Sequence, residues 1–171
     1  MTDVRVWDPV VRIFHWGTVF IVFTNFFLFD EGKVHEFLGY VLAGLLAVRL
    51  LWGFVSTGYA RFANFLPTSA RLRQHLTDIK QGAVSVEIGH NPVGALMIFN
   101  LLGTLILVCV TGHLATTDRF WGTEWMEEIH EFFSAWLMIS VFLHVGGVLL
   151  ESFRSGINLI HAMFNGIKRM P

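Results

Sequence analysis

Residues 129–150 read IHEFFSAWLMISVFLHVGGVLL, an apolar run that carries His130 and His144, fourteen residues apart. On an α-helix that spacing turns a side chain through ~1400°, within about 40° of four full turns, so both imidazoles face the same way. They lie ~21 Å apart along the axis, against a hydrocarbon core ~30 Å thick. One histidine therefore sits near one face of a bilayer and the other well toward the opposite face. Two inward-facing histidines at two depths are what a helix needs to hold two haems stacked across a membrane. The plain alternative is two satisfied polar groups in a helix bundle, and the rest of the chain decides between them.

Composition supports the membrane. Of 171 residues, 54% are hydrophobic and only 15% charged, with 17 phenylalanines, 6 tryptophans and a mean hydropathy of +0.58; a soluble domain carries roughly 25% charged residues. The length suits about four spans with short connections, and residues 1–171 are read as one four-helix transmembrane unit. Cys109 is alone, which excludes a disulfide framework and a cysteine-held iron–sulfur or zinc site. No nucleophile–base arrangement of a hydrolase is visible, no nucleic-acid partner is expected, and no removable signal peptide is read at the N-terminus.

The spans are expected at about 13–29, 34–55, 93–115 and 129–150. Asp8-Pro9 is a start signal for the first. Asp30-Glu31-Gly32-Lys33 is a tight turn into the second, and Thr116–Glu128 is a polar turn into the fourth. Between the second and third spans, residues 70–80 repeat apolar positions at helical spacing, and the tail from Glu151 to Pro171 does the same. Both are expected to be short amphipathic helices on the membrane surface.

Ten of the twelve basic residues (Arg5, Arg12, Arg49, Arg61, Arg71, Arg73, Lys80, Arg154, Lys168 and Arg169) fall on one side of this topology, and Lys33 and Arg119 on the other. The positive-inside rule then places both termini and the long connection in the cytoplasm and the two acidic turns outside, which in a bacterium means the inner membrane with those turns in the periplasm. Topology converts positions into depths. His35 and His130 share the outer level, His15 and His144 the inner one. Two imidazoles facing each other at one level supply both axial positions of a haem iron, and four independent core histidines have no reason to fall into matched levels.

Glycine permits close approach of a porphyrin to a helix. Gly39 stands one turn beyond His35, Gly53 fourteen residues further, and Gly146 and Gly147 follow His144. Arg49 lies on the face of His35 at the inner level, where it either pairs with haem propionates or snorkels to the cytoplasmic surface. Arg12 is a second candidate for the propionates. His113, near the outer level, is read as a propionate donor in preference to an alternative ligand. His90 and His161 read as solvated or capping groups, and His75 as uninformative.

Trp7-Asp8-Pro9, Arg12 and His15-Trp16 resemble the opening of the bacterial di-haem cytochrome b family, which includes cytochrome b561 proteins and the b-type subunits of nickel–iron hydrogenases. His35 with Gly39-Tyr40, Arg49–Phe54, Gly89–Pro92 with Gly94, Thr111-Gly112, Glu128–Glu131 and His144 continue the likeness in order over essentially the whole chain. The resemblance implies a four-helix bundle with two haem b groups, ligated by His15, His35, His130 and His144, that exchanges electrons with ubiquinone or menaquinone.

Two six-coordinate haems leave no open iron position, which favours electron transfer over oxygen binding. The outer surface carries Asp30, Glu31, Glu36, Asp118, Glu124, Glu127, Glu128 and Glu131 against Lys33 and Arg119. Such a surface attracts a basic redox protein, and a periplasmic c-type cytochrome is the expected partner. It repels anions, which disfavours quinone-linked superoxide oxidation. The other readings are a membrane anchor subunit of a hydrogenase or dehydrogenase, which would copurify with its catalytic subunit, and a haem-free transporter or metal carrier, which would lack a b-type spectrum.

Overall fold

The computed structural model describes residues 2–81 and 88–170. Its element order is β1 (Thr2–Arg5), α1 (Pro9–Phe27), α2 (Gly32–Val55), α3 (Ser69–Lys80), α4 (Pro92–Ala115), α5 (Glu124–Ser155), α6 (Leu159–Asn165) and β2 (Ile167–Met170), with two short 3-10 turns between α2 and α3. Four helices, α1, α2, α4 and α5, are long and apolar enough to cross a membrane. Phenylalanines and leucines stand exposed along them, for example Phe142 at 69% and Phe20 at 65%, as lipid-facing surfaces require. The protein is an all-α membrane bundle.

Capping chemistry sets the helix ends. The Asp8 side chain accepts from the Val11 backbone N–H, with Pro9 in the first turn, so α1 begins four residues earlier than its apolar run. Asn91 caps α4 in the same way before Pro92. α5 extends beyond the expected span at both ends. Glu124 and Glu127 occupy its first turn, where the helix dipole favours acids, and it stops only at Gly156 with φ +69°. At 32 residues it is ~48 Å long, more than a bilayer core.

The tail contains a short helix, as expected, but not only a helix. Gly156 and Gly166, both with positive φ, break it into the seven-residue α6 and the strand β2. β2 pairs antiparallel with β1, Val4 opposite Lys168, so the two ends of the chain are clasped together on one side of the bundle. Trp7 and Ala162 are buried beneath this clasp. The surface helix α3 forms where expected, lies against α4 and buries His75.

Close backbone packing runs from α1 to α2, α2 to α4 and α4 to α5, around a core that includes Ile21, Leu42, Leu46, Leu102, Leu105 and Leu137. Asn100 Nδ2 donates to Ser140 Oγ at 2.8 Å and accepts at Oδ1 from the Trp136 indole at 3.3 Å, fastening α4 to α5 inside the apolar region. Between α5 and either α1 or α2, close backbone contact is sparse among the described residues. That opening positions the site.

Candidate functional site

Two histidine pairs span the opening. His15 of α1 faces His144 of α5 with ring centres 6.4 Å apart, and His35 of α2 faces His130 of α5 at 6.1 Å. No hydrogen bond joins the two rings of either pair among the described residues. An imidazole nitrogen bonds a metal ion at about 2.0–2.1 Å and stands about 1.1 Å from its ring centre, so two imidazoles sharing one ion axially have centres about 6.2–6.4 Å apart. The His15–His144 separation falls within that span and the His35–His130 separation lies just short of it.

Neighbouring groups fix the rings. His35 Nδ1 lies 2.9 Å from the Phe29 carbonyl oxygen. A carbonyl only accepts, so Nδ1 carries the proton and Nε2 is left basic. His130 Nδ1 lies 3.0 Å from Thr111 Oγ1, and the same hydroxyl donates to the Leu107 carbonyl at 2.8 Å. Thr111 must therefore accept from His130, and again Nε2 is freed. His15 Nδ1 is buried with no hydrogen-bond partner, and the ring meets Trp16 edge-on. Two of the three His-bearing helices are themselves held: Asn25 Nδ2 donates to the His35 carbonyl, tying α1 to α2, and Trp16 donates to the Met163 carbonyl, tying α1 to α6.

The glycines divide into two groups. At Gly39, Gly146 and Gly147 nothing lies within 4 Å of where a Cβ would stand, so the surface beside the histidines is open. Gly112 has the His130 ring against it, 3.0 Å from a Cβ position, and so makes room for a ligand side chain. Gly53 departs from expectation. Its face is covered by the Phe62 ring, which a Cβ would overlap, and it is not a cradle for a planar group.

Arg49 is 4% exposed and does not snorkel. Its Nη2 donates to the Ala60 carbonyl at 3.4 Å, and its guanidinium lies 4.7 Å over the Phe62 ring. Arg12 Nη2 donates to the Phe164 carbonyl, which fastens α1 to α6. His113 is exposed and bonded through Nδ1 to the Tyr40 hydroxyl at 3.0 Å. His90, read as a solvated or capping group, is instead packed at a tilt between Trp7 and Phe65, with ring centres at 4.6 and 4.4 Å. Burial pushes its imidazole down to about 3, with Lys168, Arg49 and His144 adding in the same direction. His161 is exposed.

The sequence did not reveal the roles of Thr111, Phe62, Asn25 or Lys168. For Thr111 a signal was present: it stands one residue before Gly112, on the helix that faces His130.

Among the described residues no group of three or more His, Cys, Asp or Glu side chains is placed to hold a metal ion. Comparison with curated proteins and with solved structures returns no match. The family model described as prokaryotic cytochrome b561 matches residues 6–166, nearly the whole chain. With four membrane helices and histidines paired across their opening, the chain belongs to the prokaryotic cytochrome b561 family, a b-type membrane cytochrome of electron transfer.

Proposed function

We propose that the protein holds two haem b groups, one between His15 and His144 and one between His35 and His130, and passes electrons between membrane quinone and a basic redox protein on the outer face. The observation that carries this reading is the pair of imidazole separations, 6.4 and 6.1 Å, each across an opening where the helices themselves scarcely touch. Bound haem supplies one-electron exchange at iron. The chain supplies the rest.

Thr111 and the Phe29 carbonyl hold the outer imidazoles in the tautomer with a basic Nε2. Gly39, Gly146 and Gly147 leave planar space beside the rings. Arg12, three residues before His15, and the buried Arg49 act on the propionates of the inner pair. His113 with Tyr40 stands at the outer level, where it serves as a polar neighbour of the outer haem.

The charge asymmetry supports a reading with the clasped termini in the cytoplasm and the Asp30–Glu36 and Asp118–Glu131 acids in the periplasm of a bacterium. The acidic face suits docking of a c-type cytochrome with a basic rim. The histidine pairs that would hold the haems stand ~21 Å apart in helix rise, and the bound groups would supply one-electron exchange with ubiquinone or menaquinone as the mobile carrier in the lipid. The test is the reduced-minus-oxidised spectrum of the purified protein with haem quantification. Two b-type haems per chain is the expected result, and a haem-free protein contradicts it.

A further inference from the structure

α4 and α5 enclose a groove of about 470 Å³, within the size range of small-molecule sites. Its walls are aromatic, with Phe99 of α4 and Phe132, Phe133 and Trp136 of α5. Phe132 is 64% exposed and Trp136 45%, so the groove opens sideways to the lipid. Gly103 lines it with nothing within 4 Å of a Cβ position, which lets a flat group come close to the α4 backbone. No ionisable side chain lines the groove, and this suits a neutral ligand.

Asn100 supplies a hydrogen-bond donor in this apolar setting. One Nδ2 hydrogen goes to Ser140 Oγ at 2.8 Å, and Oδ1 accepts from the Trp136 indole at 3.3 Å. Among the described residues the other Nδ2 hydrogen meets only the Met97 sulfur, a weak acceptor, at 4.0 Å. Thr104 does not compete for a ligand, because its hydroxyl donates to the Asn100 carbonyl at 2.8 Å. An amide hydrogen without an oxygen acceptor is costly in hydrocarbon, so the groove calls for a ligand that carries a carbonyl.

Depth narrows the choice. Residues 100–107 form the middle third of α4, whereas the ester carbonyls of phospholipids lie at the edges of a hydrocarbon core ~30 Å thick. A quinone carries its carbonyls on a flat, neutral ring with an apolar tail and takes them into the hydrocarbon. The groove also adjoins the outer histidine pair. Phe133 stands one turn beyond His130, and the carbonyl of Leu107, a lining residue, accepts from the Thr111 hydroxyl that holds His130.

We propose that the groove between α4 and α5 is a quinone site, in which Asn100 donates to a ring carbonyl, the aromatic walls flank the ring and the tail leaves sideways into the lipid. This rests on the quinone exchange proposed above and gives it a place, beside the outer pair and away from either membrane surface.

The test uses the purified holoprotein in detergent and an azido-ubiquinone that labels its site on illumination, with the labelled peptides located by mass spectrometry. Label is expected on residues 99–107 or 132–136, and decylubiquinone is expected to displace it. Gly103→Leu, which fills the groove, and Asn100→Leu, which removes the donor, each lower decylubiquinone affinity about tenfold. Ser140→Ala removes the fastening between Asn100 and Ser140 but leaves the amide, and keeps wild-type affinity. Both haems stay bound in all three variants.

Label elsewhere, or unchanged affinity in both Gly103→Leu and Asn100→Leu, overturns the proposal. Decanol that displaces the label as well as decylubiquinone does overturns it too, since the groove then takes any acyl chain. A wild-type protein with no b-type spectrum overturns the haem reading instead, and the position of the label still decides for or against the groove.

Discussion

Thr111 Oγ1 accepts from His130 Nδ1 at 3.0 Å while donating its own proton to the Leu107 carbonyl at 2.8 Å. The hydroxyl proton is committed to the helix backbone, so the imidazole has one tautomer available and presents Nε2 as its basic nitrogen. Partners of this kind commonly change metal affinity 10–100-fold when removed. Thr111→Val keeps the shape and deletes the acceptor. It is expected to weaken retention of the outer haem by about that factor and leave the inner haem untouched, measured as haem per chain during stepwise dilution in detergent.

Gly39 separates a cofactor role from a merely helical one. Nothing in the chain lies within 4 Å of a Cβ there. In a plain helix, Gly39→Ala stabilises by roughly 0.5–1 kcal/mol. If a porphyrin packs on that face, Gly39→Leu lowers outer-haem content while the haem-depleted protein unfolds no earlier than wild type. Haem content and thermal unfolding of the same preparation check both halves.

The spans were legible because each is an apolar run of membrane length bounded by Asp8-Pro9, the Asp30–Lys33 turn, Asn91-Pro92 or the acids before His130. The pairing of His15 with His144 and of His35 with His130 was legible because helical rise and the order of the spans are arithmetic on sequence positions. The clasp was not. β1 and β2 are four residues each, their polar alternation is too short to show a period, and their partners are separated by nearly the whole chain. Consequently Lys168 read as a cytoplasmic surface charge when it is buried. Gly53 was misread because spacing alone cannot show that an aromatic ring from the following loop, Phe62, fills the notch. Arg49 was left open between snorkelling and burial, since a charge near a helix end permits both until the loop that covers it is placed.

His90 makes stability fall with acid. Its folded pKa, about 3, lies below the unfolded value of 6.5, so the unfolded chain binds the extra proton between them. The contribution is full above about pH 6.5 and is lost progressively as pH falls toward 3. Thermal midpoints measured from pH 7.5 to 4.5 are expected to decline, and His90→Phe, which keeps an aromatic between Trp7 and Phe65, is expected to flatten that decline.

The proposed docking of a basic partner at the acidic face predicts screening by salt, with a Debye length of about 8 Å at physiological ionic strength. Electron transfer to a basic c-type cytochrome is expected to slow several-fold between low and high salt in stopped-flow measurements. Replacing Glu127 and Glu128 with glutamine is expected to reduce that dependence. A salt-independent rate means that the acids do not guide the partner.

The central claim is that four imidazoles from three helices act two by two, and haem quantification with each histidine replaced by alanine in turn tests it most directly. Each replacement is expected to leave one haem per chain. His15→Ala and His144→Ala should share one residual spectrum and midpoint, and His35→Ala and His130→Ala the other. Residual spectra that pair His15 with His35, or replacements that leave both haems in place, would contradict the account.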